Sequence, residues 1–186
     1  MTPEESTGEL VEIEESGMCF GPYPEELCFR IETSRVFRHI GSGVKMAEFL
    51  LLRQAKSETP SLWIIEAKSS SPRPASKQSF DEYIGEIRDK LANALTLAVS
   101  IRLGRHQAED ELPVGFHNID WQNIKIRLIL VIRGHQDAWL PPLKDALEKA
   151  LNPCIRLWGL KPPAVLVLND QNAERQGLLK PRGAVA

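Results

Sequence analysis

Apolar residues alternate with polar ones in some stretches and recur every three to four positions in others, and the change of period marks strands and helices. Residues 27–40 read as extended: Phe29 and Ile31 alternate with Arg30 and Glu32, and Val36-Phe37 follow. Gly41-Ser42-Gly43 reads as a turn into a second strand over 44–52, and 62–68 (Leu-Trp-Ile-Ile-Glu-Ala-Lys) reads as a third. Three strands with short links predict an antiparallel meander. After a Ser/Pro-rich loop, Ser79-Phe80-Asp81-Glu82 has the pattern of a helix-starting capping box. Phe80, Ile84, Ile87, Leu91, Leu95, Ala98 and Ile101 then keep helical spacing as far as Gly104. A polar stretch over 105–122 leads to a strand at 124–133 apolar enough to be buried on both faces. A shorter helix follows, with Pro141 in its first turn and Leu143, Leu147 and Leu151 on one side, stopped by Asn152-Pro153. A last buried strand at 164–168 precedes a weak helical tail. The order βββαβαβ predicts an α/β layered domain with a mixed sheet.

With 186 residues, 42% apolar and 26% charged, the chain can bury one core and is unlike a disordered or fibrous sequence. No run approaches the ~18 apolar residues of a membrane span, and the first residues carry neither a basic nor an apolar leader pattern. Three widely spaced cysteines (Cys19, Cys28 and Cys154) point to a reducing compartment, so the expected location is cytoplasmic and off the membrane. The net charge of −2 hides an asymmetry: residues 1–29 hold eight glutamates and no Lys or Arg. Residues 1–26 therefore read as an acidic arm expected to lie over basic surface, 27–176 as a single domain and 177–186 as a tail.

There is no glycine-rich phosphate loop, nucleophile elbow or Cys-x-x-Cys, and the four histidines lack the spacing of a helical zinc site. What remains is Glu66-Ala67-Lys68 at the end of the third strand. Strand alternation puts Leu62, Ile64, Glu66 and Lys68 on one face, and Glu48 alone interrupts the apolar row Val44, Met46, Leu50 and Leu52 of the preceding strand. If the strands pair, two carboxylates and an ammonium converge where unpaired charge is costly. Two roles stay open for them. One is a structural ion pair, Glu66–Lys68 or Glu48–Lys68. The other is an oxygen-rich partial shell for Mg²⁺ or Mn²⁺, with the lysine orienting a water. Arg73 and Lys77, near the start of the first long helix, are candidate phosphate contacts. Tyr83, Glu86 and Lys90 share a flank of that helix which either faces the site or carries an exposed Glu86–Lys90 pair.

An acidic residue in one strand, then Glu-x-Lys in the next, then a helix, resembles the PD-(D/E)XK nuclease superfamily. The wording Cys-Phe-Arg-Ile-Glu, Ala-Glu-Phe-Leu-Leu and Glu-Ala-Lys-Ser-Ser-Ser-Pro is similar to a bacterial nuclease-like group of that type. The resemblance implies a restriction-endonuclease-like αβββαβ core, with Glu48 and Glu66 as metal-binding acids, Lys68 as the catalytic lysine and the Ala67 carbonyl as a further ligand. Glu32 or Glu26 would stand for an additional acid. It implies a Mg²⁺- or Mn²⁺-dependent phosphodiesterase acting on DNA or RNA. The alternative is a non-catalytic nuclease-like fold serving as an interaction module for nucleic acid, a protein partner or a second copy of the chain.

Overall fold

The computed structural model describes residues 8–54 and 59–181. The chain opens with a hairpin of β1 (Leu10–Glu15) and β2 (Met18–Pro24), followed by β3 (Cys28–Phe29), α1 (Arg35–Ile40), β4 (Phe49–Arg53) and β5 (Ser61–Lys68). The long helix α2 (Lys77–Arg102), the short α3 (Val114–His117), β6 (Lys125–Ile132), α4 (Leu140–Trp158), β7 (Val165–Asn169) and α5 (Asp170–Arg175) complete it. The main sheet has the order β3-β4-β5-β6-β7. Its first three strands form the expected antiparallel meander, while β5, β6 and β7 run parallel. The chain is thus α/β with a mixed five-stranded sheet.

The two faces of the sheet hold two cores. Leu50, Leu52, Leu62, Ile64, Leu128, Leu130, Val165 and Val167 pack beneath α2 and α4. Phe49, Leu51, Trp63, Ile65, Ile129 and Val131 pack on the opposite face against the hairpin residues Ile13, Met18 and Phe20, together with Ala173 and Leu178. The central strands are therefore buried on both sides, as the unbroken apolar run of β6 requires.

The segment read as an acidic arm is, from Leu10 onward, this hairpin. Ser16 (φ 52°) and Gly17 (φ 72°) form its two-residue turn, a left-handed pair of the type that matches strand twist. A Cβ at Gly17 would also displace the Arg133 guanidinium that lies against the turn. Of the hairpin's glutamates, Glu12 pairs with Lys180, whereas Glu15 turns toward other carboxylates. The hairpin is zipped to the far end of the chain. Gly21 N–H and Tyr23 O–H both donate to the Leu178 carbonyl (3.0 and 2.6 Å), Phe20 pairs with Leu179, and Lys180 N–H donates to the Cys19 carbonyl. Leu178 and Leu179 are core residues, not part of a free tail. Residues 1–7 of the arm and 182–186 of the tail lie outside the described residues.

Four local expectations need correction. The second strand starts at Phe49 and not at 44, and Gly41 caps the end of α1, so 41–43 does not turn one strand into another. The stretch 27–40 is extended only at Cys28–Phe29; a 3-10 turn (Ile31–Thr33) and α1 replace the rest. The Ser34 hydroxyl caps α1 by accepting from Phe37 N–H, and the Glu111 carboxylate accepts from the N–H groups of Arg35 and Val36, a tertiary contact that outweighs the strand preference of Val36-Phe37. The capping box at Ser79 does not form: α2 begins at Lys77, and the Ser79 hydroxyl donates to the Ser76 carbonyl. Finally, α4 passes through Pro153 to Trp158, because Cys154 and Ile155 still pack against the core.

Candidate functional site

The antiparallel register pairs Phe49 with Ile65 and Leu50 with Ile64. The Glu48 N–H continues it, donating to the Ile65 carbonyl, so Glu48 sits across from Glu66 at the edge of the helix-covered face. Glu66 has no solvent exposure, and neither carboxylate oxygen has a hydrogen bond of good geometry. Its charge is opposed by two ammoniums: Lys90 Nζ is 2.9 Å and Lys68 Nζ 3.2 Å from Oε1. Lys90 Nζ also lies 3.6 Å from Glu48, and Lys68 donates to Glu86 at 3.0 Å. The expected exposed Glu86–Lys90 pair is therefore not made. Helix α2 turns both residues inward, and each meets a charge supplied by the sheet.

Glu48 has further carboxylate neighbours. Oxygens of Glu15, Glu32 and Glu48 all lie within 4.8 Å of one another, a spacing that suits one cation. Burial, a hydrogen bond with Glu32 and the charges of Glu66 and Glu32 push the Glu48 carboxyl up to about 9, against the pull of Lys90. Burial likewise raises Glu66, although Lys90 and Lys68 oppose it. The bond from Lys68 holds Glu86 below the usual carboxylate range. Burial on its own would lower Lys90, yet Glu66, Glu48 and Glu32 more than offset it and the ammonium is held charged. Buried near Glu66 and Glu86, Tyr83 is raised, and its hydroxyl has no hydrogen-bond partner.

Of the residues singled out from the sequence, the structure joins Glu48, Glu66, Lys68 and Glu32. It leaves out Glu26, on the 3-10 turn Glu25–Leu27, and Arg73 and Lys77, which are exposed and make no ion pair to the carboxylates among the described residues. It adds Glu15, hidden by the glutamate run around it although Val11/Ile13 and Met18/Phe20 flank a Ser-Gly turn signal. The Ala67 carbonyl accepts from the Ser16 hydroxyl at 3.1 Å. The hairpin tip thus brings Glu15 to the carboxylates and Ser16 to the backbone beside them.

Five carboxyl groups gather here around Lys68 and Lys90, and the group eases its own repulsion by holding a proton on Glu48. A hard divalent cation would meet an all-oxygen donor set in Glu15, Glu32 and Glu48, next to a buried Glu66 with unused acceptor capacity. The residues present fit such an ion. No helix among the described residues is long and apolar enough to cross a membrane. The chain matches no protein-family model, no curated protein and no solved structure.

Proposed function

We propose that this chain is a Mg²⁺- or Mn²⁺-dependent phosphodiesterase acting on nucleic acid, built on a restriction-endonuclease-like core. The observation that carries the proposal is the carboxylate group around Glu48 and Glu66, with Lys68 beside it at the end of β5. The meander β3-β4-β5, the crossover helix α2 and the parallel β6 follow the βββαβ part of the expected core. A hairpin precedes the first sheet strand where the resemblance would place a helix.

In this reading Glu48, Glu32 and Glu15 would hold the cation and Glu66 would add its charge from the buried side. The ion would supply Lewis acidity and a more acidic bound water. Lys68, fixed between Glu66 and Glu86, presents a donor that orients water and offsets charge growing on phosphate oxygens. Lys90 holds Glu48 and Glu66 together when no cation is present.

A second reading, a nuclease-like interaction module without catalysis, is favoured by one specific arrangement. The Lys90 ammonium bridges Glu48 and Glu66, and the Ser16 hydroxyl already bonds the Ala67 carbonyl, so two positions that resemblance gives to a metal have protein partners. Thermal melts with Mn²⁺, together with cleavage of labelled single- and double-stranded DNA and RNA, separate the two. Catalysis predicts a melting point raised by Mn²⁺, a rise abolished in Glu48→Gln, and a Lys68→Ala variant that keeps the rise and loses cleavage. A melting point that ignores millimolar Mn²⁺, with no cleavage, supports the module.

A further inference from the structure

At the opposite end of the same strands lies a partly open cavity of about 460 Å³. It is separated from Glu66 and Lys68 by the length of β5, roughly 23 Å for seven strand steps. Helix α2 brings Arg102, its last residue, to the wall; Lys125 opens β6, and Trp158 ends α4 just before Lys161. Three cations thus line one cavity, and no Asp or Glu among the described residues lines it with them. None of the three makes an ion pair among the described residues, and the buried Arg102 Nε has no hydrogen-bond acceptor.

Helix capping does not account for them. The last carbonyls of α2 accept from the N–H groups of Leu103, Gly104 and Arg105, and those of α4 from Gly159 and Leu160. A buried guanidinium nitrogen without an acceptor, beside two unpaired ammoniums, calls for an anion. The remaining wall calls for something flat and apolar. The Trp121 ring is pinned by its Nε1–H, which donates to the Phe116 carbonyl at 3.0 Å, and Trp158 is 40% exposed at the rim. The space greatly exceeds that of a lone phosphate and falls within the ~300–1,000 Å³ of small-molecule sites.

We propose that this cavity binds a nucleotide unit, with its phosphate on Arg102, Lys125 and Lys161 and its base against Trp158. The site is independent of the carboxylate group and needs no divalent ion. The unit comes either from a free mononucleotide or from a nucleic-acid strand, and the chemistry of recognition is the same.

The test is isothermal titration of the full chain in EDTA with AMP, with a 5′-phosphorylated trinucleotide and with inorganic phosphate, paralleled by tryptophan fluorescence. Saturable AMP binding assigns a free nucleotide, and trinucleotide binding without AMP binding assigns a strand. In either case Trp158→Ala and Arg102→Gln should each weaken binding about tenfold or more. The exposed Lys161→Ala, which leaves the core untouched, should also weaken it and replaces Arg102→Gln if that variant does not fold. The proposal is overturned if neither nucleotide binds at millimolar concentration, if phosphate alone binds as tightly as AMP, or if binding is unchanged in Trp158→Ala and Lys161→Ala. Because EDTA is present, a failed metal reading leaves every one of these outcomes intact.

Discussion

Replacing Lys90 with alanine removes the ammonium that lies between Glu66, at 2.9 Å, and Glu48, at 3.6 Å. In an effective dielectric of about 20, the charges of Lys90 and Glu66 attract by ~6 kcal/mol before desolvation is counted, while Glu48, raised to about 9, holds a proton near neutral pH and adds little. Most of that is cancelled by the cost of burying the ions, and breaking such pairs costs ~3–5 kcal/mol in practice. The loss here should fall near the lower bound, about 3 kcal/mol, because Lys68 remains 3.2 Å from Glu66 and Glu48 already holds a proton near neutral pH. For a chain of this size, each kcal/mol moves the midpoint by ~2–4 °C, so the variant should melt roughly 6–12 °C lower in EDTA. The same substitution vacates the space between the two acids. Mn²⁺ at about 100 times its dissociation constant contributes ~2.7 kcal/mol, so the variant should regain most of the loss and gain more from Mn²⁺ than the wild type does. Calorimetry of both proteins in EDTA and in Mn²⁺ measures all four midpoints. A variant that melts with the wild type in EDTA would show that Lys90 does not hold the carboxylates. Equal Mn²⁺ shifts in both proteins would show that the ammonium and the cation do not compete.

Three further outcomes can be checked. Ser16→Ala leaves the Ala67 carbonyl without its side-chain donor and should cost about 1–2 kcal/mol in urea unfolding, whereas Ser16→Gly, which relaxes the φ of 52°, should cost less; the reverse order would refute the assigned bond. Pro153→Ala supplies the N–H that α4 lacks toward the Lys149 carbonyl and should stabilise by about 1–2 kcal/mol after allowing for the looser unfolded chain; a loss of stability would mean that the proline ring itself packs usefully. Burial pushes the Cys28 thiol from 9.0 up to about 12, so the unfolded chain ionises first as pH rises. Stability from this group is complete below pH 9 and falls between 9 and 12 by about 1.4 kcal/mol per pH unit. Cys28→Ala should flatten that alkaline slope by one proton, and an unchanged slope would rule the thiol out.

What was legible in the sequence was what a strong period announces. The helix carrying Ile84, Ile87 and Leu91, the apolar run of β6 and the meander into Glu66 all follow from local pattern, because each buries its repeating positions against the same sheet. Where distant contacts outbid local preference, the pattern misled. Glu111 helps to start α1 from far along the chain, and Ile155 carries α4 past a proline. The site divided along the same line. Glu48, Glu66 and Lys68 announce themselves by interrupting apolar faces. Glu15 stands in a run of glutamates that looks solvated, and Lys90 looks paired within its own helix until the sheet offers it a buried carboxylate.

The zipper between the hairpin and residues 178–180 ties the acidic group to a segment far along the chain. Tyr23 meets Leu178 across 155 residues, so the outer partner of β1 and β2 lies 155 residues further along the chain. Without that partner, Phe20 and Tyr23 would lack part of their cover. The contacts with residues 178–180 therefore help to hold the hairpin that carries Glu15 to Glu32 and Glu48. A chain shortened before residue 178 would carry Glu48, Glu66 and Lys68 on a formed sheet yet lack the fixed hairpin that completes the acidic group.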